Sequence, residues 1–523
     1  MPGTTVKKHK NVLLKEDTTP VRKGVCFAVS MLMFCHGATI TSVFPYLPKF
    51  VKELGFSEVE IGTKTGLLAS AMFMCMIFSS LIWGYICDNW GRKLSVYLCA
   101  GGLALTTILF GFSFTYTWAI LSRSSQGLFL GLIGITKVII TDVSDDSNLG
   151  VGLTFMFASY NLGLIVGPSM AGFLAFPAEK YPHLFYKDSF ISRLKILIPN
   201  LILSVCIFIS IIVTMLFVPK NTQKNESNKK IILENPKDDS FTLSKNEDED
   251  TYFNCSISSN LYSVNFSGNL DSLKQKNTFI DLFRNLDFVI VLIFYGFQSL
   301  TIIAFEELFP VHAATEISYS GYGMSESEIG TVFLIVASIV IVLQLTIIRN
   351  TMNRIGAKKM LSAATLGFGF LIIFMPTVGM VRHKLGFWIT MCIHQILIRS
   401  MMSSGFLAIN MLLNNSVSSL LLGTANGFAM SVTAIGRAIG PTIFGIAYSW
   451  SLKNVENGLR GKKSLGFPFN EYFAFLLIAL TSFFLFLLST RIPERFNKRK
   501  IDAEENPLII RSSFLKYDTF LKL

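Results

Sequence analysis

Carboxylates are scarce inside the apolar runs of this chain, and the clearest two, Glu306 and Glu307, are adjacent. A carboxyl set in an apolar run can carry a proton along a path, the chemistry that couples a solute to a proton gradient. The pair can equally be a helix end that faces water. Asp142 stands at the edge of another run as a further candidate. Arg123 opens Arg123-Ser124-Ser125-Gln126-Gly127. A guanidinium in a membrane helix costs about 2.5–3.5 kcal/mol on insertion scales, so it faces a wet cavity or a partner, or snorkels to the headgroups. Gln126, three residues on, shares its face. Either carboxyl of the pair is a candidate to hold and release a proton. His36, Lys137, Asn161, Gln298, His394 and Arg399 are the other polar groups in runs that can line a substrate path. His36 and His394 either titrate or are packed, hydrogen-bonded residues. Arg399 can meet a carboxylate or a substrate anion, or brace two helices. Tyr160, Tyr295, Phe297 and Phe305 either line the path or face lipid and core.

A second group of residues has the chemistry of a hinge. Gly84-Tyr85-Ile86-Cys87-Asp88-Asn89-Trp90-Gly91-Arg92-Lys93 lies between two apolar runs. The chain must leave the bilayer, reverse and re-enter within a few residues. Gly91 can take the left-handed conformation such a reversal needs, Asp88 can sit near the N-terminus of the next helix, and Arg92 with Lys93 hold the turn on the cytosolic side. Further on, Gly163, Gly167 and Gly172 leave one helix face nearly bare, so a neighbouring helix can approach closely. Pro168 bends that helix. The theme recurs as Gly436-Arg437-Ala438-Ile439-Gly440-Pro441 with Gly445 beyond.

Long helices must position these residues. The chain has 523 residues, 51% hydrophobic and 15% charged, against about 25% charged in soluble proteins. Twelve spans are expected near 24–45, 61–87, 94–115, 118–140, 150–173, 196–218, 287–309, 328–348, 360–380, 386–411, 421–449 and 468–490. Only helices or closed barrels satisfy the backbone in lipid, and runs this long are helices. The fold class is therefore an all-α polytopic membrane protein with twelve transmembrane helices in two six-helix bundles. Its expected parts are a cytosolic tail (1–23), a first bundle (24–218), a cytosolic, mostly disordered linker (219–286), a second bundle (287–490) and a cytosolic tail (491–523). A short amphipathic helix is expected over Phe279 to Leu286. The basic N-terminal stretch leads straight into the first run without a cleavable signal pattern.

Lys and Arg near the run ends place both termini and the linker in the cytosol, although Lys187, Arg193, Lys195, Lys462 and Lys463 weaken the contrast. The sequons at Asn225, Asn254 and Asn265 then stay unglycosylated. The net charge of +12 sits mostly in turns and tails flanking the runs, which excludes nucleic acid as a partner and leaves the bilayer, protons and a small solute. The eight cysteines form no CxxC pair; no zinc site, nucleotide loop or nucleophile constellation is legible, so no cofactor is expected and an enzyme is the poorest reading. A weak repeat also appears: the turn at Asp88–Lys93 is echoed by Asn353-Arg354-Ile355-Gly356-Ala357-Lys358-Lys359 at the same place in the second half. Two related bundles around a central site are a transporter architecture.

Gly84 to Lys93 resembles motif A of the major facilitator superfamily, Arg123 to Gly127 resembles motif B, and Gly163 to Gly172 resembles motif C of its drug:proton antiporter branch. More narrowly, Gly167 to Pro182, Phe185, Arg193, Glu307-Leu308-Phe309-Pro310 and Gly423-Thr424-Ala425-Asn426-Gly427 resemble the zinc-induced facilitator-like proteins of plants. The resemblance implies alternating access driven by protons. Asp88 would latch one conformation, Arg123 would take part in proton transfer, and Gly163, Gly167, Pro168 and Gly172 would shape the antiporter helix. Gly84, Gly91 and Arg92 belong to the same gating turn. The histidine-rich linker of the plant proteins is absent, since none of the six His lies in 219–286. The expected function is a proton-coupled secondary transporter, an antiporter in type, of a small organic molecule, cation or metal chelate. The alternatives are a facilitator or symporter, and a transport-inactive receptor or scaffold. Glu504-Glu505-Asn506-Pro507-Leu508-Ile509 fits an acidic-dileucine sorting signal, with Glu504, Leu508 and Ile509 read by a sorting adaptor. It favours a lysosomal, vacuolar or endosomal membrane over the plasma membrane.

Overall fold

The computed structural model describes residues 22–144, 148–185, 190–218, 283–417 and 422–497. The linker up to residue 282, the sequons, the first half of the amphipathic segment before the seventh span, and Glu504, Leu508 and Ile509 lie outside them. Among the described residues twelve helices are long and apolar enough to span a membrane: α1 (Lys23–Thr41), α2 (Ile61–Trp90), α3 (Arg92–Gly111), α4 (Tyr116–Val143), α5 (Val151–Leu174), α6 (Leu197–Phe217), α7 (Phe288–Ala314), α8 (Glu326–Ile355), α9 (Ala357–Met380), α10 (Lys384–Asn415), α11 (Ala425–Leu459) and α12 (Phe473–Thr490). Large apolar side chains such as Phe208, Leu216, Val342, Leu345, Leu480 and Leu487 point outward, exposed. In water that surface would aggregate; in a bilayer it is solvated.

Several spans depart from expectation: α8 runs to Ile355 and α11 to Leu459, past the expected ends at 348 and 449, and three further departures are local. The fourth span is not one continuous helix but two segments, Tyr116–Leu128 and Leu132–Val143. The break sits where neighbours press closest: a Cβ on Gly127 would lie 2.1 Å from the Met72 carbonyl oxygen of α2, and one on Gly131 would strike Trp83. The carbonyls near the break are not orphaned. Trp83 Nε1 donates to the Leu128 carbonyl at 2.7 Å and Cys99 Sγ to that of Phe129 at 3.2 Å, as backbone at membrane depth requires. The first span ends at Thr41, and a separate short helix, Leu47–Glu53, follows it. In α8 one turn, Gln344–Ile348, widens to π-helical geometry.

The internal repeat becomes a backbone match. Gly91 has φ 91° and ψ 152°, and Gly356 has φ 84° and ψ 157°. Both combine positive φ with an extended ψ, so the conformation is not the left-handed helical one; it is a region nearly closed to other residues. The glycine-rich helices repeat as well. On α5, a Cβ at Gly163 would lie 2.0 Å from the Phe34 carbonyl and one at Gly167 2.6 Å from that of Ala38, both on α1. On α11, Gly436 and Gly440 stand in the same relation to the Gly296 and Leu300 carbonyls of α7, at 2.4 and 2.8 Å. The last glycine of each set crosses to the other half. Gly172 meets Glu326 and Gly330 of α8, and Gly445 meets Gly62 of α2. The two seams between bundles are thus made by equivalent helices. The apolar cores interlock there: Ile303, Ala434 and Ala438 belong to the first bundle's core, and Ile61 belongs to the second's.

Candidate transport cavity and gate

Between the bundles, at mid-span, lies a cavity of about 220 Å³. The first bundle contributes Ile40, Thr41, Phe73, Tyr160, Asn161, Leu164 and Ile165, a wall without charge. The second contributes Glu306, Arg399 and Arg437 with Ser299, Ser403, Gln344 and apolar residues of α7, α8 and α10. Gln344 opens the π-turn of α8, a feature that often marks functional positions. Glu306 and Arg399 form an ion pair, and the Arg399 guanidinium also lies over the Phe333 ring, 4.5 Å from its centroid. Of the expected path and proton-coupling residues, Glu306, Tyr160, Asn161 and Arg399 therefore reach the cavity. Arg437 also reaches it. The sequence showed it only as a member of the recurrent glycine–proline motif, and a guanidinium inside an apolar run was the available signal.

The others stand elsewhere. Glu307 is 1% exposed and turned away from the cavity, beside Thr65 of α2, with neither carboxyl oxygen in a hydrogen bond of good geometry. Arg123 is 2% exposed, so it does not snorkel. It donates to the Ile40 carbonyl at 2.9 Å, the Thr39 carbonyl at 3.4 Å and Gln126 Oε1 at 2.7 Å. The last carbonyls of a helix lack intrahelical donors and carry its negative dipole end, so Arg123 braces the C-terminus of α1. Gln126 in turn donates to Thr107 at 3.3 Å. Asp142 pairs with Arg92 at 3.1 Å, tying the α2–α3 turn to α4. His36 is wholly buried against the Tyr160 ring, His394 bonds the Leu371 carbonyl at 3.0 Å, Gln298 packs on Gly405, and Lys137 lies over Phe157. Asp88 falls in the last turn of α2, with its side chain outside the described set. Gly84 faces open space.

At the end opposite the start of α1 and the end of α12 a lock joins the halves. Glu326, 4% exposed at the start of α8, pairs with Lys49 at 3.4 Å and Lys180 at 3.0 Å, both from the first half. Lys49 also pairs with Glu179 at 2.5 Å. Burial draws Lys180 below the ordinary lysine range despite Glu326. Burial acts on Lys49 in the same direction, but its bonds and charges from Glu179 and Glu326 together raise it. Lys180 and Ser327 both donate to the Gly172 carbonyl, Lys52 donates to that of Ala314, and the Thr63 N–H donates to Ser449 Oγ. None of Lys49, Glu179, Lys180 and Glu326 was a candidate from sequence. Glu179 and Lys180 lie within the 167–182 stretch that carried the family resemblance, which was their only signal.

The Major Facilitator Superfamily model matches residues 29–441 and again 286–522. The chain belongs to the Major Facilitator Superfamily. Among its superfamily relatives, Protein ZINC INDUCED FACILITATOR-LIKE 1 of Arabidopsis thaliana is 25% identical over 431 residues, covering 82% of this chain and 84% of the relative. The multidrug transporter mfsB of Aspergillus fumigatus is 23% identical over 503 residues, covering 87% and 82%. A bacterial homolog of the human lysosomal transporter Spinster, in an inward-facing and occupied conformation, shares the fold with a TM-score of 0.65 at 12% identity over 93% of this chain and 100% of that one. A D-xylose–proton symporter shares it at 0.62 and 13%, over 92% and 100%. The chain is thus a multi-pass membrane transporter with the twelve-helix fold of this superfamily.

Proposed function

We propose that this transporter is a proton-coupled antiporter that moves a small organic solute by alternating access, and that Glu307 is its proton carrier. The observation that carries this reading is the position of Glu307. It is a carboxyl buried on α7 against α2 of the other half, at the locked end, beside the Thr65 hydroxyl and with no cation paired to it among the described residues. A carboxyl enclosed in this way can exchange its proton with water only when its surroundings open. When the halves part there, water reaches it and the proton can leave. Glu306 lies one residue away on the cavity side, so solute occupancy and proton occupancy act on adjacent residues of one helix. In this reading the termini face the cytosol and the lock faces the far side of a lysosomal, vacuolar or endosomal membrane, which the basic residues at the span ends and the acidic-dileucine stretch at 504–509 support. Imaging a Leu508→Ala, Ile509→Ala variant at the cell surface tests that placement.

The deciding assay uses proteoliposomes loaded with a deproteinised cell extract. Solutes released with and without an imposed pH gradient are read by untargeted mass spectrometry. Glu307→Gln should leave some solute exchange and abolish its acceleration by the gradient. Full gradient-driven release by the Glu306→Gln, Glu307→Gln double variant would overturn the reading.

A further inference from the structure

The charges in the cavity do not cancel. Glu306 is already satisfied by Arg399. Arg437 lines the same cavity half-buried, and among the described residues no carboxylate lies within ion-pairing distance of it. A half-buried guanidinium facing the cavity is a costly element to keep in a membrane helix unless something uses it. Its direction is set by the backbone. Gly436 on one side and Gly440 beyond press α11 onto the Gly296 and Leu300 carbonyls of α7, which leaves the intervening side chain facing the cavity.

The internal repeat sharpens the point. Gly163, Gly167, Pro168 and Gly172 recur with the same spacing as Gly436, Gly440, Pro441 and Gly445. The residue after the first glycine is Leu164 in one half and Arg437 in the other, and both line the cavity. Equivalent positions of a pseudo-symmetric site thus hold a hydrocarbon on one wall and a cation on the other. The wall carrying Leu164, Ile165, Ile40 and Phe73 is uncharged.

We infer that the solute is an organic anion with an apolar body, its acid group held by the Arg437 guanidinium and its body laid against the first bundle. A planar guanidinium engages a carboxylate through two parallel hydrogen bonds, which an ammonium or neutral solute cannot supply. This inference rests on the cavity being the transport site. It does not depend on proton coupling, and its test uses binding at equilibrium without a gradient.

The full chain in nanodiscs is titrated at neutral pH with three solutes of one shape: phenylbutyrate, its amide and the corresponding phenylbutylamine. The carboxylate is ionised and the amine protonated there. Phenylbutyrate should bind tightest, by roughly 10- to 100-fold over the amide, the span expected for hydrogen bonds to a charged group. Arg437→Gln should remove that preference, and Arg437→Lys, which keeps the charge without the fork, should retain part of it. Glu306→Gln frees Arg399 and should strengthen phenylbutyrate binding, whereas a cation site would lose affinity. Thermal unfolding of each variant shows that it is folded. Tighter binding of the amine, equal binding of all three, absence of saturable phenylbutyrate binding, or an unchanged preference in folded Arg437→Gln would each overturn the inference.

Discussion

Gly172→Ala isolates the seam between the halves. A Cβ there would lie 2.7 Å from the Glu326 carbonyl oxygen and 2.9 Å from the Gly330 Cα. Both are backbone atoms of α8, so no side chain can swing aside to relieve the contact. Forcing one extra methyl into a packed contact costs about 1–3 kcal/mol. The contact exists only while α5 and α8 are together at the locked end, so the cost falls on that state and not on its alternative. The ratio of the two states then moves by about 5- to 150-fold toward the one opened at this end. Hydrogen exchange read by mass spectrometry reports it without engineered cysteines. Amides near 326–330 and 62–66 should exchange faster in the variant. Gly163→Ala is the control: its Cβ meets the Phe34 carbonyl at 2.0 Å within one bundle, so it should lower thermal stability in every state without favouring one end. Exchange at the α8 start indistinguishable from wild type, or the same pattern in both variants, would refute this account of the gate.

Two further outcomes follow from the same geometry. Glu326→Gln leaves Lys49 and Lys180 facing each other without their shared carboxylate; the lysines are partly exposed, so the lock should weaken by about 1–3 kcal/mol, between the surface and buried limits, and exchange at the same end should quicken. Arg123→Gln removes the donors to the Thr39 and Ile40 carbonyls and should cost about 1.5–3 kcal/mol of stability, seen as a lower melting temperature with gradient-driven release per folded molecule retained; wild-type melting with the gradient response lost would make Arg123 a proton-transfer residue instead.

The type and order of the membrane helices were legible in the chain itself, though not all their ends, because lipid leaves an apolar run no other way to satisfy its backbone. The hinge glycines were legible for a related reason: positive φ and near-contact of backbones exclude side chains, so Gly91, Gly356, Gly163 and Gly436 announce themselves by type and spacing. Direction around a helix was not legible. Glu306 and Glu307 differ by one position, about 100° of helical rotation, and only the packing of α7 sends one to the cavity with Arg399 and the other to the seam with Thr65. Arg123 carried the marks of a cavity residue, yet the end of α1 lies within its reach and takes its donors. The lock at Lys49, Lys180 and Glu326 joins residues 277 and 146 positions apart. Their loops show no pattern separately, and the pairing exists only because the two bundles meet there.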